Sequence, residues 1–327
     1  METNFVKLSL TDPYSGIYPL LIPAEYTKGT GLCNPSIYNN NGTLLLNIRN
    51  VEYTLYHSEG DKKYQSIWGG PLAYLNPEDD LTLRTVNFLG TVSDNGVVNV
   101  SKVNTSNLDT TPMWEFIGLE DARIAVWDDN VYLIGVRRDT ETTGIGRMEF
   151  SKIENSIETT RNRIEPPDAN SYCEKNWMPI IDMPYHFVKW TNPTEVVKVD
   201  LISEKSKTVV FKEQNIDVTR DIRGGSQVIP IGNYRVCITH EVDLFFTENN
   251  AKDAHYFHRF IVWDKNWNIV CISDEFKLMT GSIEFATGMA IKNGMIYITF
   301  GYMDNCAYML KFSTDFLQKF LKFNFND

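Results

Sequence analysis

Apolar and polar positions alternate over short stretches of this chain, and clusters of Asn, Asp, Gly and Pro separate those stretches. A period of two marks half-buried strands, and such clusters mark the turns between them. The pattern predicts an all-β chain. One stretch departs from it: "STDFLQKFLKF", Ser313 to Phe323, spaces its apolar residues as a helix does, behind a serine able to cap. It predicts a short C-terminal helix.

Five segments then share one plan, with a polar or small opening, an apolar strand, a tight turn, a second apolar strand and a polar close. They lie near 34–50 ("NPSIYNNNGTLLLNIRN"), 120–139 ("EDARIAVWDDNVYLIGVRRD"), 175–190 ("KNWMPIIDMPYHFVKW"), 224–241 ("GGSQVIPIGNYRVCITHE") and 286–304 ("ATGMAIKNGMIYITFGYMD"). The offset from opening to closing residue is 15 for Asn34 to Arg49, 16 for Asp121 to Arg137, 13 for Asn176 to Lys189 and 14 for Ser226 to His240. Radial repetition of small antiparallel sheets makes a β-propeller. The expected architecture is therefore a five-bladed propeller, with residues 1–327 as one domain. The two strands of a hairpin open and close at the same end of a sheet. The residues at those ends should meet at the central opening: Asn34, Arg49, Asp121, Arg123, Arg137, Arg138, Lys175, Asn176, His240 and Asp304.

Charge sharpens this picture. The 327 residues carry a formal net charge of −11, which argues against general nucleic-acid binding. A central set rich in Arg, Lys and His inside an acidic protein suits a small anion such as phosphate or the diphosphate of an activated sugar. Asp121, the acid most surrounded by those cations, is either an ion-pair partner or a general acid. Glycoside hydrolysis ordinarily uses two carboxylates. Phosphorolysis needs one acid and cations to hold phosphate, so this inventory leans toward phosphoryl ligands. Glu120, Glu174, Glu241 and Glu284 remain as sources of a second carboxylate.

Other chemistries find little support. His255 and His258 make no metal motif, and no metal or cofactor is expected. "RGGS", Arg223 to Ser226, is an anion-binding turn or simply a tight loop. Five scattered cysteines without a CxxC read as reduced thiols. No apolar run is long enough to span a membrane, and the first residues lack a secretory signal, so a cytoplasmic location is expected. Nothing in the pattern sets an oligomeric state.

"GLEDARI", Gly118 to Ile124, resembles the "EDPR" signature of glycoside hydrolase family 130, the β-mannoside phosphorylases and their relatives. "NPSI…LLLNIRN", "EKNWMP", "GGSQVIP…YRVCITHE" and "IEFATGMAIKNGMIYITFGYMD" resemble further segments of that family in the same order, as islands between about residues 30 and 310. The resemblance implies a five-bladed propeller with a central sugar site and Asp121 as general acid. It implies phosphate or anion contacts at Arg49, Arg137 or Arg138, Lys175 and His240. It implies sugar contacts at Asn34, Glu120, Arg123, Asn176, Glu284 and Asp304. Ala122 replaces the signature proline, and "TFGYMD" replaces "YYGAAD". A related group of β-mannosyltransferases, glycosyltransferase family 108, shares the fold and the acid. The expected activity is transfer of a hexosyl unit, mannosyl in those families, between a phosphate-bearing donor and a glycan acceptor, with inorganic phosphate or a sugar nucleotide as co-substrate. A hydrolase of the same fold and a non-catalytic glycan-binding propeller are the alternatives.

Overall fold

The computed structural model describes residues 3–27, 31–54, 64–65, 71–74, 82–246 and 252–326. It is a five-bladed β-propeller. Blades one to four each follow chain order from the axis outward. Blade one runs Gly31–Asn40, Thr43–Val51, Leu83–Val92, Val98–Lys102, and blade two Glu120–Trp127, Asn130–Arg137, Arg147–Glu154, Ile157–Ile164. Blade three runs Met178–Pro179, His186–Trp190, Thr194–Asp200, Lys205–Lys212, and blade four Ile229–Ile231, Tyr234–Phe246, Lys252–Trp263, Ile269–Ile272. The fifth runs Glu284–Lys292, Met295–Tyr302, Cys306–Ser313, and takes its outermost strand, Gly16–Pro19, from the start of the chain. That strand joins the two ends of the chain and closes the ring. The five predicted hairpins are the inner two strands of the five blades.

Separate apolar layers fill the gaps between blades. Trp127, Phe150, Trp177 and Phe187 pack between blades two and three; Met178, Val188, Cys237 and Trp263 pack between three and four. The C-terminal helix, Thr314–Leu321, starts where predicted: Ser313 Oγ accepts the Phe316 N–H at 3.1 Å. Its Leu317 and Leu321 extend the layer of Phe5, Phe260, Phe276 and Phe312.

Near the axis the inner strands crowd together, and Gln227 ties them. Its Nε2 donates to Ser36 Oγ at 2.9 Å and to the carbonyls of Ile37 and Ile124 at 3.0 Å, while its Oε1 accepts the Met289 N–H at 3.0 Å. One wholly buried amide thus links blades one, two, four and five. Among the described residues no helix is long and apolar enough to cross a membrane, and no group of three His, Cys, Asp or Glu is placed to hold a metal.

Candidate active site

In blades one, two and five the innermost pairing slips near the opening end of the hairpin. In blade one the register slips between Cys33 and Ser36, and in blade two between Glu120 and Arg123. A residue in left-handed conformation sits at the slip: Asn34 at φ 45° and Asp121 at φ 50°, with Asn176 at φ 62° entering blade three. Asn and Asp take this conformation more readily than other residues with a side chain. Blade four has Gly224 here, where a Cβ would stand 1.9 Å from the Asn176 carbonyl oxygen. In blades one to three this conformation turns a polar side chain, Asn34, Asp121 or Asn176, toward the cavity.

They line a small cavity of about 110 Å³. Asn34, Arg49, Asp121, Lys175, Asn176, His240 and Asp304 contribute from the predicted set, and Arg223, Tyr256, Ile283 and Phe285 complete the wall. The residue just before the bulge is Cys33, Glu120, Lys175 and Arg223 in blades one to four. Arg223 occupies the slot that Lys175 fills one blade earlier, and that equivalence is the sequence signal for it. Tyr256 lies on an outer strand and had no such signal.

Asp121 is the centre of the hydrogen bonding. Its Oδ1 accepts from Asn34 Nδ2 and from Arg49 Nη1, both at 2.7 Å. Among the described residues nothing donates to Oδ2. Burial alone would raise the carboxyl, but the charges of Arg49 and Arg123, the Asn34 bond and Lys175 outweigh it and hold Asp121 below the ordinary aspartate range. It rests as a carboxylate.

Arg49 is committed to holding that carboxylate. Its remaining contacts run from Nε to Thr85 Oγ1 at 3.0 Å and from Nη2 to Tyr53 Oη at 2.8 Å and Glu120 Oε2 at 3.2 Å. Four of the five guanidinium N–H groups are therefore spoken for. Lys175 and Arg223 differ: among the described residues neither side chain has a carboxylate within ion-pair distance. They are the uncommitted cations of the cavity.

His240 is fixed by geometry. Its Nδ1 lies 2.9 Å from the Gly224 carbonyl oxygen, which can only accept, so Nδ1 carries a proton. Burial, His258 and the nearby Arg223, Arg123 and Lys175 hold the imidazole neutral, well below the usual histidine range. Its Nε2 is then an acceptor. The ring stacks on Tyr256 at 5.6 Å and tilts against Phe285 at 4.4 Å. Among the described residues nothing donates to Asn34 Oδ1, which is buried against Gly301, where an added Cβ would stand 2.4 Å from it.

Five of the residues named from sequence stand elsewhere. Arg123 is wholly buried beneath the cavity, bonded to the Gly225 carbonyl at 2.8 Å and to Asn176 Oδ1 at 3.2 Å, and burial pushes it down to about 10. Glu120 lies behind Arg49. Glu284 is a loop anchor, accepting the N–H groups of Leu278, Met279 and Gly281 at 2.7 to 3.1 Å. Arg138 lies over the rings of Phe116 and Tyr172 and donates to the Gly144 carbonyl. Arg137 is buried in a network with Glu149, Asp139 and Glu158 inside blade two. Register explains the last. Arg49 pairs with Cys33, the residue before Asn34; the residue before Asp121, Glu120, pairs with Val136. Arg137 is one residue further on and points to the opposite face.

Of the other carboxylates, Glu174 is bound to Trp177 Nε1 and Lys189, and Glu241 to Arg220 and Arg259. Asp304 is the second carboxylate that lines the cavity.

The propeller is shared with solved structures. A β-1,2-mannobiose phosphorylase from Listeria innocua, determined with β-1,2-mannobiose, matches at 10% identity and TM-score 0.55, over 94% of this chain and 99% of that one. A glycosyl hydrolase from Bacteroides ovatus matches at 14% identity and TM-score 0.52, over 88% and 85%. A mannose phosphorylase from Leishmania mexicana, determined with a phosphate ion, matches at 13% identity and TM-score 0.51, over 92% and 90%. Identities this low speak for the fold. No protein-family sequence model and no curated protein sequence matches the chain.

Proposed function

We propose that the protein is a carbohydrate-active enzyme that transfers a hexosyl unit, mannosyl by analogy with the phosphorylases of this fold, between a phosphate-bearing donor and a glycan acceptor. One observation carries this reading: a single cavity holds the Asp121 carboxylate beside two cations, Lys175 and Arg223, that have no carboxylate within ion-pair distance among the described residues. Phosphate supplies its own negative charge. Such a site needs cations to hold it and one proton-transfer group for the bridging oxygen.

In the synthetic direction Asp121, resting ionised, takes the proton of the acceptor hydroxyl as that oxygen attacks the anomeric carbon, and the phosphate leaves onto Lys175 and Arg223. In the reverse direction an incoming phosphate anion lowers the local positive potential, which lets Asp121 hold the proton that it returns to the departing oxygen. Arg49 and Asn34 position the carboxylate. His240 Nε2 and Asp304 accept from sugar hydroxyls, a role for His240 different from the anion contact first expected. Arg123 acts from beneath by fixing Asn176 and the Asp121 backbone.

Asp304 supports a second reading, hydrolysis, because it is a second carboxylate lining the cavity and could serve as a base for water. The experiment that separates the two is incubation with β-1,2-mannobiose with and without inorganic phosphate. The proposed activity forms mannose 1-phosphate only when phosphate is present. Release of two free mannoses without phosphate identifies a hydrolase.

A further inference from the structure

Blade four carries an extension that its neighbours lack. Its second and third strands, Tyr234–Phe246 and Lys252–Trp263, have 13 and 12 residues. The second strands of blades one, two and five have 9, 8 and 8. The extra length follows His240, which lines the cavity, so Glu241 to Phe246 projects from the cavity end of the propeller by about 20 Å at the usual rise of a strand. Pairing continues along this arm: Val242 is opposite Tyr256 and Leu244 opposite Ala254.

Side chains alternate along a strand, and paired residues share a face. His240, Val242, Leu244 and Phe246 therefore lie on one face together with Tyr256. His240 and Tyr256 line the cavity, so this face is the cavity wall continued outward. Beyond the wall its second-strand residues are apolar and exposed: Leu244 is 52% exposed and Phe246 69%; Lys252, opposite Phe246, ends the face. The opposite face has its own packing, with Phe245 stacked on His255 at 4.9 Å.

Resting on the glycosyl-transfer reading, we propose that this face is an acceptor platform that binds the sugar rings of an oligosaccharide lying outside the cavity. Continuity names the occupant. A cavity of about 110 Å³ is small beside the ~300–1,000 Å³ of sites that enclose a whole ligand. A glycan of several rings with its reacting end at Asp121 must extend beyond such a cavity, and the arm continues the wall formed by His240 and Tyr256. Each pyranose ring offers an apolar C–H face that gains by covering an aliphatic or aromatic side chain. Phosphate alone has no use for such a surface.

The test is calorimetric titration of mannose and of β-1,2-linked mannobiose, mannotriose and mannotetraose into phosphate-saturated protein. Wild type should bind more tightly as the chain lengthens. In the Leu244→Ser/Phe246→Ser variant that gain should vanish, with about tenfold weaker binding of the tetraose, the effect of withdrawing partly buried apolar area. Ile202→Ser, which changes an exposed side chain on blade three, should keep the gain. A wild type indifferent to chain length, or a double variant with an unchanged gain, overturns the proposal. So does a double variant that turns an oligomer into monomers in sedimentation, because the face would then join copies of the chain. Length-dependent binding without any mannose 1-phosphate turnover would leave the platform standing and remove the enzymatic reading instead.

Discussion

At the scale of single residues, three arginines at strand ends have three different jobs. Arg49 is spent on Asp121 and its surroundings, Arg137 on buried carboxylates, and Arg223 lines the cavity with no acidic partner among the described residues. The alanine variants should separate accordingly. Lys175→Ala and Arg223→Ala should each weaken binding of phosphate or mannose 1-phosphate by about tenfold or more, the usual cost of a charge-assisted contact, with little change in melting temperature. Arg137→Ala should leave phosphate affinity alone. It removes a partner of Glu149, 1% exposed, and leaves Arg161 as the remaining cation beside Glu149 and Glu158, so it should lower stability by about 1–3 kcal/mol. Calorimetric titration with phosphate and chemical denaturation read the two effects. A loss of phosphate affinity in Arg137→Ala, with none in the other two, would reverse the assignment.

At the scale of strands and bulges, the axis is the place where hydrogen bonds replace apolar packing. Gln227 joins four blades because its amide has two donors and an acceptor and all find partners. Gln227→Leu keeps the approximate volume but leaves the Met289 N–H and the Ile37 and Ile124 carbonyls without it. The expected cost is about 2–4 kcal/mol in chemical denaturation. A variant as stable as wild type would mean that the blades are held by their apolar layers alone. The same scale decides what could be read before folding. Alternation and turn residues mark the five inner hairpins because those signals are local. The side chains Asn34, Asp121 and Asn176 could be placed at the axis because hairpin ends must meet there. A slip of one residue in register cannot be seen in a hairpin read alone, so Arg137 is misplaced while Arg49 is not. Tyr256 and Phe285 were hidden because a ring on a strand looks the same whether it faces the core or a ligand. Glu284 reads as a carboxylate available for chemistry until the three N–H groups of its loop are seen around it.

At the scale of the whole molecule, an acidic chain folds around a cationic centre, and buried histidines lie beneath that centre. His258 is wholly buried, its Nε2 accepts the Ala286 N–H at 3.3 Å, and burial holds it down to about 3. The unfolded chain takes up that proton near 6.5 and the folded one only near 3, so the unfolded state binds more protons between those values. Stability from this group is full above about pH 6.5 and falls as the pH drops toward 3, by about 1.4 kcal/mol per unit for one site. His240 acts in the same direction. His258→Gln, which retains an acceptor, should flatten the fall of melting temperature from pH 6.5 to 4.5; an unchanged slope would show that other groups govern it. The activity itself depends on one carboxylate. The most direct measurement follows mannose 1-phosphate formed from β-1,2-mannobiose and phosphate by wild type and by Asp121→Asn, with phosphate binding measured alongside. Asparagine keeps an acceptor for Arg49 and Asn34, so the fold and phosphate binding should persist while turnover falls by about 10²–10⁴. Comparable turnover by the two proteins would contradict the role given to Asp121 and with it the account of the site.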